Sequence, residues 1–148
     1  MGNLEIKVKY TTEIDKEFKE LEGISQGDWI DLRVAEDYNL KRGDFKLLRL
    51  GVCMQLPEGY EAHVCSRSST FKKYGIFMSN SMGIIDNSYC GDTDEWLYAA
   101  IATKDVVIPR GTRIAQFRLE RIQPNISFVK VDKLEGESRG GFGSTGEK

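Results

Sequence analysis

Residues 47–65 read Leu47-Leu48-Arg49-Leu50-Gly51-Val52-Cys53-Met54-Gln55-Leu56-Pro57-Glu58-Gly59-Tyr60-Glu61-Ala62-His63-Val64-Cys65. Leu48, Leu50, Val52 and Met54 recur with a period of two, which turns one face of a strand toward a core. Pro57-Glu58-Gly59 then turns the chain, and Tyr60, Ala62 and Val64 resume the alternation. The stretch predicts a hairpin. The same period runs upstream through Leu4, Ile6, Val8 and Tyr10, which alternate with Glu5, Lys7 and Lys9. Downstream, Trp96 to Ala102 predicts an apolar strand, and Pro109-Arg110-Gly111 a turn. Arg113 to Ile122 predicts another strand, and Phe128, Val129 and Val131 supply the last. One short helix is expected from Ser69 to Tyr74, with Ser68 or Ser69 capping its start and Gly75 ending it. Ile14 to Leu21 reads as a helical turn or two. Many short strands punctuated by Gly and Pro predict an all-β fold, a jelly-roll-like sandwich or barrel with one short helix.

At 148 residues the chain is expected to form one domain with a real core. Only the C-terminus changes composition, so residues 1–134 read as the β-domain and 135–148 as a flexible Gly-rich tail. The 21 basic and 23 acidic residues nearly balance, which gives no electrostatic case for nucleic acid or an anionic membrane as main partner. No apolar run is long enough to span a bilayer, and no N-terminal signal segment is read. Cys53, Cys65 and Cys90 are odd in number and lack C-x-x-C spacing, which argues against a disulfide framework or structural zinc and for a cytoplasmic setting. The sole histidine, His63, excludes a His-based metal cluster and reads as a strand residue.

Five segments carry polar chemistry. In the tail, Arg139-Gly140-Gly141-Phe142-Gly143-Ser144-Thr145-Gly146, glycines let backbone N–H groups approach phosphates. Ser144 and Thr145 add hydroxyls, Arg139 adds charge, and Phe142 offers a face for a base. A disordered tail has the same composition. Ser66-Arg67-Ser68-Ser69, at the strand-to-helix junction, reads as a phosphate site or as ordinary capping. Gly83-Ile84-Ile85-Asp86 sets a carboxylate after an apolar run, either to serve a turn or to activate water. Asn80, six residues earlier, offers a donor and an acceptor to a base edge or supplies turn geometry. Gln116 interrupts an apolar neighbourhood in Gly111-Thr112-Arg113-Ile114-Ala115-Gln116. Asp28 and Asp31 lie near a strand start, as turn residues or as acids that hold water around a cation.

Taken in chain order, the five segments resemble the five motifs of the trimeric dUTPases. Asp31-Leu32 is similar to the first, and Arg67-Ser68-Ser69 with Lys72 or Lys73 and Gly75-Ile76 to the second. Gly83-Ile84-Ile85-Asp86 with Tyr89 and Gly91 is similar to the third. Gly111-x-Arg113-Ile114-Ala115-Gln116 is similar to the fourth, and Gly141-Phe142-Gly143-Ser144-Thr145-Gly146 to the fifth. Departures are Trp29-Ile30 in place of Ala-Gly, Ser66 in place of Pro, and Ser88 and Cys90 beside Tyr89. The 91–96 stretch is slightly longer than usual, and Arg139 lies closer to Phe142.

The resemblance implies hydrolysis of dUTP to dUMP and pyrophosphate. Asp86 would act as general base, and Arg67, Ser68, Ser69, Gln116, Arg139, Gly143, Ser144 and Thr145 would hold the triphosphate. Asn80 and the backbone through Ile85 would read the uracil. Tyr89 would exclude a ribose hydroxyl, and Phe142 would stack on the base. Mg²⁺ would ride on phosphate oxygens and water with no direct protein ligand, Asp31 acting through a water. The implied assembly is a homotrimer with sites shared between subunits. The rival expectations are a dCTP deaminase-like enzyme and a catalytically silent nucleotide-binding protein of the same fold.

Overall fold

The computed structural model describes residues 3–23, 26–143 and 146. Eleven strands and one helix follow one another: β1 (Lys7–Tyr10), β2 (Ile30–Arg33), β3 (Tyr38–Leu40), β4 (Phe45–Arg49), β5 (Val52–Gln55), β6 (Tyr60–Ser66), α1 (Thr70–Tyr74), β7 (Ile76–Met78), β8 (Gly83–Ile85), β9 (Leu97–Ala102), β10 (Val106–Ile108) and β11 (Arg113–Arg121). Every pairing is antiparallel. A four-stranded sheet runs β2-β11-β6-β8 and a three-stranded one β4-β9-β7, with β1-β5 and β10-β3 as two-stranded pieces. The expected all-β, jelly-roll-like sandwich with one short helix is the observed architecture.

Alternation builds the core. Along β6, Ala62 and Val64 are buried while their neighbours are half-exposed. Along β9, Tyr98, Ala100 and Ala102 point inward. Leu32, Leu48, Leu50, Ile76 and Ile114 fill the space between the sheets, and Trp96 meets Phe117 edge-on at 5.1 Å between centroids. This burial is the main stabilising term.

Four expectations are corrected. Residues 47–65 are not a hairpin: β5 pairs with β1, whereas β6 pairs with β11 and β8. The Pro57–Gly59 turn carries the chain between sheets. The run from Leu48 to Met54 is also broken at Gly51, whose φ of +72° suits glycine and where a Cβ would lie 2.7 Å from the Phe18 ring. Ile14 to Leu21 forms no helix. Asp15 Oδ1 accepts from the N–H groups of Glu17 and Phe18, both at 2.9 Å, and folds the segment into an Asp-closed turn instead. Phe128, Val129 and Val131 form no strand and pair with none among the described residues. Finally, Ser69 stands at the N-cap of α1 without a side-chain capping bond. Thr70 serves the junction, donating from Oγ1 to the Ile114 carbonyl at 2.6 Å. Gly75 ends the helix as expected, with φ +64°.

Arg110 staples the irregular segment 11–18 to the body. Its guanidinium contacts both Asp15 oxygens at 3.0 and 2.9 Å, reaches Thr12 Oγ1 at 3.0 Å, and lies 5.6 Å from the Phe18 ring centroid. Phe18 is only 2 % exposed. The body closes where the Ile122 N–H donates to the Gly59 carbonyl at 3.0 Å. Beyond it, residues 123–140 are exposed throughout.

Candidate active site

The four-stranded sheet positions the first group. Gln116 on β11 lies opposite Asp31 of β2 on one side and Cys65 of β6 on the other. Asp31 therefore faces the loop that leaves β6. Its Oδ1 meets Arg67 Nε at 3.2 Å, and its Oδ2 meets Arg113 Nη1 at 3.0 Å. Arg67 is also held by its backbone N–H, which donates to the Ile114 carbonyl at 3.2 Å. Arg33 stands beside them, its pKa pulled down by burial and by the neighbouring Arg113. Asp31 thus takes two of the three guanidiniums, and Glu22 lies close enough to Arg33 to offset part of its charge. Gln116 Nε2 donates weakly to the Ser66 carbonyl at 3.4 Å. Ser68 next to Arg67 is exposed and Ser69 half-exposed.

The second group surrounds a cavity of about 280 Å³ lined by Ile84, Ile85, Asp86, Tyr89, Glu95 and Leu97. Strand β8 ends at Ile85, and a tight turn follows, closed by the Tyr89 N–H donating to the Asp86 carbonyl at 3.0 Å. Asp86 Oδ1 accepts from the Ser88 hydroxyl at 2.6 Å and from the Ser88 N–H at 2.8 Å. These bonds hold the Asp86 carboxyl below the usual carboxylate range. Asn87 pins the turn, donating from Nδ2 to the carbonyls of Pro57 at 2.9 Å and Tyr60 at 2.8 Å. The Tyr89 hydroxyl donates to the Glu95 carbonyl at 2.8 Å, which props its ring on the cavity wall. Asn80 lies exposed in the loop before β8, and its carbonyl accepts from the Met82 N–H and the Ser81 hydroxyl.

The two groups do not meet within the chain. Asp31 is on β2 and Asp86 follows β8, at opposite edges of the sheet. Three strand spacings and about four residues along β6 put them roughly 20 Å apart. Arg139, Phe142 and Gly143 belong to the exposed tail, where Phe142 and Gly143 take φ +50° and +89°. Phe142 is fully exposed. Ser144 and Thr145 lie outside the described residues.

Sequence reading assigned Arg67, Ser68, Ser69, Gln116, Ile85, Asp86 and Tyr89 to one site; within the chain Arg67, Ser68, Ser69 and Gln116 lie around the β2-β11-β6 strands, and Ile85, Asp86 and Tyr89 around the end of β8. That reading missed the partnership of Asp31 with two arginines and the grip of Ser88 on Asp86. Only the second had a visible signal, a serine two residues after an aspartate in a turn.

The chain is similar to known proteins in sequence and in fold. A family model described as dUTPase matches residues 28–146. The SPbeta prophage-derived deoxyuridine 5'-triphosphate nucleotidohydrolase YosS of Bacillus subtilis is 51 % identical over 145 residues, covering 98 % of this chain and 100 % of that protein. The deoxyuridine 5'-triphosphate nucleotidohydrolase of Neorickettsia sennetsu is 37 % identical over 121 residues, covering 79 % and 80 %. Among solved structures, the dUTPase of Streptococcus mutans superposes with a TM-score of 0.71 at 22 % identity, covering 81 % of this chain and 98 % of the other. The Staphylococcus bacteriophage 80alpha dUTPase with dUPNHPP gives 0.72 at 22 % identity, covering 96 % and 98 %. The structures agree in fold, and the family match runs from the strand that bears Asp31 to the glycines around Phe142: this chain belongs to the dUTPase family.

Proposed function

We propose that this chain hydrolyses dUTP to dUMP and pyrophosphate, which keeps uracil out of DNA and supplies dUMP for thymidylate synthesis. The observation that carries the reading is Asp86, an ionised carboxylate held by Ser88 beside a small apolar-walled cavity. A water attacks the α-phosphorus and Asp86 accepts its proton. The new P–O bond forms as the bond to the bridging oxygen breaks, and the electron pair leaves with pyrophosphate. Because its hydrogen bonds lower its basicity, Asp86 acts mainly through placement. Uracil fits between Asn80 and Ile85, and Tyr89 walls off a 2′-hydroxyl.

Arg67, Arg113, Ser68, Ser69 and Gln116 bind phosphate oxygens, and the tail closes over the nucleotide, with Phe142 on the base and Arg139, Gly143, Ser144 and Thr145 on the phosphates. Mg²⁺ suits this donor set when carried by the triphosphate: among the described residues no three His, Cys, Asp or Glu gather into a cage. It would offset phosphate charge, with Asp31 reaching it through water. Asp31 is already engaged by two arginines, so that water would occupy a remaining lone pair.

The separation of Asp31 from Asp86 favours a site assembled from several chains, a homotrimer in which neighbours supply the missing parts. The outer face of the β4-β9-β7 sheet supports this, since Phe45, Leu47, Phe77 and Leu97 are exposed there. Among the described residues no helix is long and apolar enough to cross a membrane, and a cytoplasmic nucleotide pool is the proposed setting. The test is to supply dUTP, dCTP and UTP separately with Mg²⁺ and identify products. Release of dUMP and pyrophosphate from dUTP alone is expected. Deamination of dCTP would mean a deaminase, and binding without turnover a silent regulator.

A further inference from the structure

We infer that Ser88 is a positioning residue of the reaction: its hydroxyl and amide clamp one oxygen of Asp86 so that the other faces the attacking water. This rests on the reading of Asp86 as the general base. Both Ser88 donors reach Oδ1, at 2.6 and 2.8 Å. Two donors occupy the in-plane lone pairs of that oxygen and fix the carboxylate plane, which leaves Oδ2 to take the proton. The clamp is itself anchored. Asn87, between the two residues, is tied to the carbonyls of Pro57 and Tyr60, and the Tyr89 N–H closes the turn on the Asp86 carbonyl. Asp86 therefore cannot rotate away without breaking bonds that the rest of the turn keeps in place.

The charged groups around the turn have partners of their own. Glu95, on the cavity wall with Tyr89, is held by Arg49 at 3.0 Å. On the neighbouring β6, extending the register past Ile85 and Ala62 brings Asp86 opposite Glu61, which pairs with His63 at 2.6 Å. Beside it Arg121 lies over the Tyr60 ring. The hydrogen bonds from Ser88 are the main influence on the Asp86 carboxyl and keep it ionised to lower pH. A base with a lowered pKa is charged above it, and activity fails as pH falls through it. Without the Ser88 hydroxyl that failure begins at higher pH.

The test compares wild type, Ser88→Ala and Ser88→Thr in two measurements. The first is a carbon-13 NMR titration of the Asp86 carboxyl without nucleotide, assigned with Asp86→Asn. The second is the pH profile of kcat on dUTP with Mg²⁺. Ser88→Ala is expected to raise the carboxyl midpoint and to move the acid limb of kcat to higher pH. It should also lower kcat by about ten- to a hundredfold, the scale of a misplaced reacting group, with less effect on KM. Ser88→Thr should restore all three. An unmoved midpoint and limb in Ser88→Ala, a lower kcat without a moved limb, or failure of threonine to rescue overturns the proposal. Full turnover by Asp86→Asn would instead overturn the underlying reading, while the titration would still report the grip of Ser88.

Discussion

The body of this chain buries many of its large apolar residues, whereas the segment that follows β11 leaves its own exposed. Leu32 and Leu48 in the body are fully buried, whereas Phe128, past the last strand, is 95 % exposed and Phe142 in the tail fully so. A chain that buries one set and presents the other has two kinds of apolar residue. The first closes its own core. The second awaits something the single chain does not contain, which we propose to be a neighbouring subunit and a nucleotide base. On that proposal the tail is a binding element whose energetic role begins only when a partner arrives.

The sharpest way to break this comparison is to silence each region separately. Asp86→Asn should lower kcat by about 10²–10⁴, the usual worth of a general base, while nucleotide binding and melting temperature stay put. A loss below about tenfold would remove Asp86 from its role. Deleting residues 136–148 should abolish most activity and also leave the melting temperature nearly unchanged. A large fall in melting temperature would make the tail part of the body after all.

A matched pair of alanine substitutions sharpens the contrast. Leu48→Ala should cost about 2–5 kcal/mol of stability, the range for a buried leucine, with the molecules that remain folded still active. Phe142→Ala should leave stability alone and weaken substrate binding by about 1–3 kcal/mol, as loss of a stacked base does. Denaturant unfolding and KM separate the two. The smallest expected signal comes from mixing. In co-refolded trimers of Asp86→Asn and tail-deleted chains, cyclic symmetry leaves one working site in each mixed trimer, so roughly a quarter of wild-type activity should return. Dead mixtures whose mass confirms mixed trimers would mean that each chain builds its own site.

Much of the fold was legible in the sequence, and most of the failures have a common cause. Period-two alternation marked β1, β5 and β6, and apolar runs and turns marked β9 and β11, because a side-chain pattern is a local property. It did not say which strand pairs with which: residues 47–65 alternate as a hairpin does, yet β5 and β6 belong to different sheets. The apolar residues near Phe128 belong to no sheet among the described residues. Motif spacing located Asp86, Tyr89 and Arg67. It was silent on the arginines around Asp31, since those contacts bridge residues as far apart as Asp31 and Arg113. The helix at Ile14 failed for another reason. Asp15 offers its own side chain to the backbone N–H groups that a helix would need.

The staple made by Arg110 bears on where a protease will cut. Segments 11–18 and 123–140 are both irregular, and both contain cleavable lysine and glutamate. A protease needs an extended stretch free to enter its cleft, and only the second offers one. Cutting 11–18 would first require Arg110 to release Asp15 and Thr12, and Phe18 to leave the core. Brief digestion should therefore yield a trimmed but intact body ending near Ile122, with Asp15 and its neighbours still attached.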